Sequence, residues 1–413
     1  MKFLTHLLIS FFICFAVVVS AAELKLTAPP DGAVFDTLSP CEREFIDNSA
    51  KRAEVPEKIR IRLENYDKDV SAFKAETEKA KAEGREVQMR DPTYWADSRT
   101  NDWTYDLVDR YKAEKGNYLP MTWTVEGNVT DMTVLFSETE DFAKPLHTYA
   151  QTNAARPENL KLGVKYFWKV TAKDENGQPV ESDVRTFTTI DRFPRFMSTP
   201  WNVNVRDLGG GVNADGKKVR QGLIYRGAAF TPKARTTEPR DQGADEMMYF
   251  VLDVLQLKAE FDLRGVKESQ DRFDAGERLL EPNVKRYNFP MGAYDLNSDS
   301  VKKYLVQIFH TLATEDVYPM YFHCAAGADR TGTVGLMLDG VIGRDDQTII
   351  DQYELTTFCY TRAHFCRMPA KMFSIAKSFA PDEPIRVQVV KYLLSIGVPQ
   401  EEIDAVHNKM VEE

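Results

Sequence analysis

The chain has 413 residues, 43% of them apolar and 28% charged, a composition that can bury real cores and excludes a disordered polyelectrolyte. That length exceeds one ordinary domain and points to two, or to three small ones. The net charge of −10, from 53 basic and 63 acidic residues, repels nucleic acid and anionic membrane surfaces in bulk, so any polyanion site must be locally basic.

Lys2, the apolar run Leu7 to Val19 and the small residues Ser20-Ala21-Ala22 read as a signal peptide over residues 1–22. The run is too short for a comfortable membrane span, and no later segment reaches spanning length. The expected mature protein is exported, periplasmic or secreted, with no stable membrane span after signal cleavage. An uncleaved anchor is the lesser alternative, and Cys14 lacks the small residues expected before a lipidated cysteine. The four other cysteines, Cys41, Cys324, Cys359 and Cys366, are too few for a disulfide scaffold. Cys359 and Cys366 read as buried thiols on or near a helix, with a disulfide between them left open.

Leu24 to about Ser39 carries the turn Pro29-Pro30-Asp31-Gly32 between short apolar runs, a β-type start. From about 42 to 118 the chain turns rich in Lys, Glu, Ala and Arg, with Ile59, Leu63, Tyr66, Val70 and Phe73 at helical spacing, so a helical insertion is expected. Its charges read as a solvated face. Strand patterns return at Met121 to Val125, Met132 to Phe136, Val164 to Val170 and Val184 to Thr188, and Asp174-Glu175-Asn176-Gly177 punctuates the last pair as a hairpin would. Leu160 to Ala172 and Ser182 to Phe187 resemble a fibronectin type III or similar immunoglobulin-like module, which implies a β-sandwich over 23–190 interrupted by the insertion. In such a sandwich Trp123 and Trp168 are expected in the core rather than on an exposed sugar platform.

Residues 190 to 200 suit a linker, and beyond them strands interleave with helices, so 191–413 is expected to be an α/β domain. Within it Tyr318 to His323 reads as a strand and Thr331 to Val341 as a helix. A strand-loop-helix turn therefore brackets His323-Cys324-Ala325-Ala326-Gly327-Ala328-Asp329-Arg330-Thr331-Gly332. Amide N–H groups from Ala325 to Arg330 and the helix dipole make such a turn an anion site. Ala325, Ala326, Gly327 and Ala328 are small enough for the backbone to wrap a phosphate, and Arg330 supplies a planar fork for two of its oxygens. In that field a thiol, at ~8.5 when free, falls toward the nucleophilic thiolate, which marks Cys324. His323 is expected to orient the loop by hydrogen bonding. Thr331 is placed either to donate to the sulfur or to cap the helix.

These residues match the Cys-x5-Arg-[Ser/Thr] pattern, and the chain is identified as resembling the cysteine-dependent protein tyrosine phosphatase superfamily. Asn204 to Gly210, Tyr225-Arg226-Gly227 and Asp262-Leu263-Arg264 with Glu268 further resemble its bacterial tyrosine phosphatase branch. The resemblance implies that Asp329 is the general acid, and that Lys commonly stands where this chain has Ala328, a departure that argues against polyphosphorylated inositols. Asp295, in Met291-Gly292-Ala293-Tyr294-Asp295, is the alternative general acid, because other branches carry theirs upstream on a loop. Asp295 can equally be a surface loop residue and Asp329 a loop-bracing carboxylate. Arg206, Asp207, Arg226, Asp262 and Arg264 read first as paired charges holding strands around the loop.

No Cys/His cluster has ligand spacing and Gly209-Gly210-Gly211 lacks a nucleotide-loop ending, so neither a metal nor a cofactor is implied. The expected substrate is a phosphorylated protein or small phosphomonoester. The alternatives are an inositol phosphate or phosphoinositide on the same loop, and a glycan- or adhesion-binding protein with a vestigial phosphatase domain.

Overall fold

The computed structural model describes residues 22–48, 118–150, 152–198, 204–230, 247–271, 283–356 and 378–413, with scattered positions between 78 and 114 and position 376. Residues 1–21 of the predicted signal peptide, most of the predicted helical insertion, and Cys359 and Cys366 lie outside the described residues.

Two sheets build the N-terminal β region. The smaller joins β1 (Glu23–Ala28), β3 (Met121–Glu126) and β6 (Ala154–Ala155). The larger runs β2 (Ala33–Phe35), β9 (Arg185–Thr189), β7 (Lys165–Asp174), β4 (Val129–Ser137) and β5 (Leu146–Tyr149), with β8 (Pro179–Glu181) paired to β7. Strand alternation sends Leu24 and Leu26 of one sheet and Tyr166, Trp168 and Val170 of the other into one shared cluster with Trp123, Phe136 and Phe187. Trp168 is fully buried and Trp123 nearly so, which makes both core residues. The hairpin at Asp174 to Gly177 is present, but it joins β7 to the short β8 before the chain reaches β9. Helix α1 (Pro40–Asp47) opens on a capping box, the Glu42 amide donating to Ser39 Oγ and the Ser39 amide to Glu42 Oε2.

The C-terminal half has a mixed six-stranded sheet in the order β10 (Arg195–Phe196), β11 (Arg206–Asp207), β12 (Ile224–Ala228), β15 (Met320–Cys324), β13 (Ala259–Asp262) and β14 (Lys285–Asn288). The last four are mutually parallel, and the first two form an antiparallel edge. Part of the expected linker is thus the edge strand β10. Arg195 explains the difference: its guanidinium donates to the carbonyls of Asn159 and Leu160 and to Asp207 Oδ2 at 2.6 Å, tying this stretch to both halves.

Every side chain of β15 is buried, as a central parallel strand requires. Alternation turns Met320, Phe322 and Cys324 to one face and Tyr321 and His323 to the other. The first face is covered by α3 (Asp299–Thr314), α4 (Asp329–Ile342), α6 (Ile385–Ser395) and α7 (Gln400–Met410), through Leu305, Phe309, Leu336, Val389 and Val406. Helix α5 (Asp346–Glu354) follows α4 and packs against it. A smaller cluster of Val205, Tyr225, Val251, Leu255 and Tyr321 lies on the second face.

Trp168→Ala would open a large void where both N-terminal sheets meet. Urea unfolding is expected to show a loss of ~3–5 kcal/mol; a loss below about 1 kcal/mol would mean that the two sheets do not share a tightly packed core.

Candidate active site

The parallel strands end together. In their register Ala228 of β12 stands beside Cys324, and Asp262 of β13 stands beside His323. Cys324 therefore closes the central strand at the carboxyl edge of the sheet, where open α/β sheets bind ligands, and α4 begins five residues later with Ala328 as its cap.

The loop between them is pinned from behind. The Gly327 carbonyl accepts from Asn204 Nδ2 at 3.0 Å and from Arg226 Nη2 at 3.1 Å. Asn204 also donates to Thr356 Oγ1 at 3.3 Å, and Arg206 holds its other end by donating to Asn204 Oδ1 and to the Gln352 carbonyl. Gly327 has φ of +66°, and a Cβ there would lie 2.3 Å from the carbonyl carbon of Gly227, so no other residue fits this turn unchanged.

Arg330 extends from the first turn of α4, its two terminal nitrogens donating to Glu268 at 2.7 and 2.9 Å. This is a bidentate fork of the kind that also matches phosphate. The hydrogen bond to Glu268 raises the Arg330 pKa against the opposing effect of burial, and the nearby Cys324 sulfur adds to the rise. Glu268 itself sits on α2 (Val266–Asp271), just past a turn made rigid by Asp262. That carboxylate accepts from the Arg264 amide and guanidinium, from Ser269 Oγ and from Arg286. Burial works against the Asp262 charge, but the Arg264 hydrogen bond and the charges of His323 and Arg264 prevail and hold its pKa below the usual carboxylate range.

His323 is wholly buried, with Nε2 2.6 Å from Glu260 Oε1 and Nδ1 3.2 Å from the Cys324 carbonyl. It is thus locked between β13 and the start of the loop. Thr331 lies inside the first turn of α4, two residues past its start, so it does not cap the helix; its buried hydroxyl has no hydrogen-bond partner among the described residues.

The two candidate acids have different hydrogen-bond partners. Asp329 stands at the head of α4 and its carboxylate accepts from the Tyr294 hydroxyl. Asp295 Oδ1 accepts from the Asn297 amide at 3.3 Å, an Asx turn leading into α3. The segment singled out for Asp295 thus reaches the loop through its neighbour Tyr294. Tyr294, Tyr353 and Glu260 were not legible as site residues in the sequence; only the proximity of Tyr294 to a suspected acid pointed that way. Among the described residues no group of three His, Cys, Asp or Glu could hold a metal ion, and no helix is long and apolar enough to cross a membrane.

Behind Arg226 lies a buried carboxyl. Burial pushes Asp339 of α4 up to about 7, although Arg344, Arg226 and Arg206 pull the other way, and its Oδ1 has no hydrogen-bond partner among the described residues. The folded state then binds the proton more tightly than the unfolded chain, whose aspartates titrate near ~4. Below that pH both states are protonated and no penalty arises. As pH rises from about 4 to about 7 the folded state alone retains the proton, so stability falls across that window. Urea midpoints at pH 5 and pH 8 should show a drop that Asp339→Asn flattens; equal drops in both proteins would disprove it. The stabilisation contributed by Asp262 is lost below about pH 4 and does not overlap.

No curated protein matches the chain. Two solved structures resemble parts of it at low identity. One, the core catalytic domain of the PP-IP phosphatase SIW14 from S. cerevisiae in complex with citrate, is 20% identical over 35% of this chain and 81% of that chain, with a TM-score of 0.25. The other, the Siw14 catalytic core, is 19% identical over 38% of this chain and 90% of that chain, with a TM-score of 0.24. Residues 198–412, more than half of the chain, match the model of the tyrosine phosphatase family, and with this loop at its centre the chain belongs to that family, as a phosphoric monoester hydrolase of the cysteine-dependent protein tyrosine phosphatase superfamily.

Proposed function

We propose that the chain is an exported protein tyrosine phosphatase that hydrolyses phosphate monoesters through a phosphocysteine intermediate on Cys324. One observation carries this reading: Cys324 ends the central strand, and Arg330 rises from the helix that starts beside it, both in one loop anchored through Gly327. The thiolate attacks phosphorus in line, Arg330 takes two of the phosphate oxygens, and amides from Ala325 to Arg330 take the rest. Asp329 protonates the leaving phenolate, whose pKa of ~10 makes unaided departure slow, and then takes a proton from the water that frees the cysteine. Thr331 is assigned to the sulfur, because its hydroxyl is buried and has no partner among the described residues. His323 orients the loop through Glu260.

The remaining features are read with it. Residues 1–22 act as a signal peptide, 23–190 form a fibronectin III-like sandwich with an insertion at about 42–118, and 191–413 form the phosphatase domain of the bacterial branch. The two sheets sharing one core favour the sandwich. Trp123 and Trp168, which a glycan platform would expose, lie in that core and count against an adhesion role. Ala328, nearly buried where the branch commonly has Lys, adds no cation for a second phosphate and favours an aryl phosphate over an inositol phosphate.

Cys324→Ser is expected to reduce turnover of p-nitrophenyl phosphate and phosphotyrosine peptides at least 10³-fold, in keeping with loss of a covalent nucleophile, while the circular dichroism spectrum is unchanged. Turnover near the wild-type level in that variant would sink the mechanism. On the unmodified protein, a higher kcat/KM for inositol phosphates than for phosphotyrosine peptides would replace the substrate assignment but leave the mechanism intact.

A further inference from the structure

Asp329 is joined to two phenols by a chain of contacts that the mechanism above does not use. The Tyr294 hydroxyl donates to Asp329 Oδ1 and lies 2.7 Å from the Tyr353 hydroxyl. Since the Tyr294 proton goes to the carboxylate, the Tyr353 hydroxyl must be the donor between the two phenols. The backbone is tied to the same place: the Tyr294 amide donates to Thr333 Oγ1 at 3.0 Å, and Thr333 Oγ1 donates to the Asp329 carbonyl at 3.1 Å. One threonine thus fixes both the loop that carries Tyr294 and the helical turn that carries Asp329.

Two further observations single out this arrangement. Tyr294 has φ of +67°, in the left-handed region that bulky residues avoid, and such strain persists only where the surroundings over-determine it. Tyr353 is seated against Gly332: a Cβ on that glycine would lie 2.7 Å from the tyrosine ring. The glycine that closes the loop pattern therefore makes room for the second phenol.

We propose that Tyr294, backed by Tyr353, is a positioning residue that fixes which oxygen of Asp329 carries the catalytic proton. This rests on the reading of Asp329 as general acid. With Oδ1 accepting from Tyr294, the transferable proton sits on Oδ2. In the first step the S–P bond forms, the P–O bond breaks with its electron pair going to the phenolic oxygen, and the Oδ2 proton joins that oxygen. In the second step water attacks phosphorus, the S–P pair returns to Cys324, and the water proton goes to Oδ2. Tyr294 keeps its own proton throughout, since burial, then Tyr353 and Asp329, push its phenol far above the ordinary value.

A poor leaving group needs the proton and a good one does not, so two substrates separate positioning from mere support of the fold. In Tyr294→Phe the ratio of kcat/KM for p-nitrophenyl phosphate to that for phenyl phosphate is expected to rise at least tenfold over wild type, since kcat/KM reports the first step and excludes the hydrolysis common to both substrates. Tyr353→Phe should move the ratio the same way by less, and it decides the matter should Tyr294→Phe not fold. Asp329→Asn should show a rise at least as large, and adding Tyr294→Phe to it should raise the ratio no further. Equal losses on both substrates in Tyr294→Phe, with Asp329→Asn still showing its rise, overturn the proposal alone. An Asp329→Asn variant without the rise overturns the acid assignment and the proposal with it.

Discussion

The carbonyl oxygen of Gly327 accepts from two side chains at once, the Asn204 amide and the Arg226 guanidinium, and the shape of the catalytic loop depends on that double anchor. Arg226 comes from β12 and Asn204 from the stretch before β11, so the loop after β15 is tied to the strand beside it and to the approach to the next strand out. Small residues alone do not make such a loop rigid; they only permit the close wrap. What fixes it is a backbone acceptor with a partner that is itself held in place, as Asn204 is by Arg206 and Thr356. Preorganisation of this kind leaves little reorganisation to be done when a phosphate arrives.

The anchors also raise an electrostatic question. A chain of net charge −10 should repel phosphate esters, yet Arg206, Arg226, Arg264 and Arg344 are all buried in the phosphatase half. An arginine cannot shed its proton, and an unpaired buried charge costs several kcal/mol. Arg264 is matched directly by a carboxylate, Asp262. Arg344 donates to the carbonyls of Leu208, Gly210 and Val212, and Arg206 to an amide oxygen and a carbonyl. Neutral dipoles thus solvate these charges, and the buried carboxyls of Asp207 and Asp339 lie close enough to Arg344 to offset part of its charge. The locally basic site that the overall charge demands therefore rests on Arg330 and the loop amides, with the buried guanidiniums serving as anchors.

How much of this was legible in the sequence follows from which signals are local. The strand ending at Cys324 and the helix after it could be read from an apolar run, four small residues and a return to helical period, with boundaries off by a few residues. The short strands β5, β6 and β10 could not, because two to four residues are too few to show a period. Asn204, Arg226 and Glu268 were visible only as pieces of motif whose roles depend on where the strands meet. Glu260 carried no signal at all, its partner His323 being 63 residues away. Tyr294 was hidden for a different reason: it sits in a left-handed turn, which no preference of tyrosine announces, and from there its hydroxyl meets Asp329.

The edge of the phosphatase sheet raises the question of how independent the two halves are. Arg195 is nearly fully buried, and its guanidinium spans Asp207 on one side and the carbonyls of Asn159 and Leu160 on the other. Gln221 repeats the connection by accepting from the Leu162 amide and donating to its carbonyl. Asp207 in turn accepts from the amides of Gly209 and Gly222, so the turn following β11 depends on the same carboxylate. Pulling the N-terminal sheets away would leave the guanidinium its carboxylate, Asp207, but strip it of the carbonyls of Asn159 and Leu160, and a buried donor left unsatisfied typically costs ~1–3 kcal/mol. That exceeds what a solvated linker would resist. Arg206, the neighbour of Asp207 on β11, holds Asn204 and through it Gly327. The seam between the halves and the support of the catalytic loop are therefore adjacent residues of a single short strand, and an error in one is physically close enough to disturb the other.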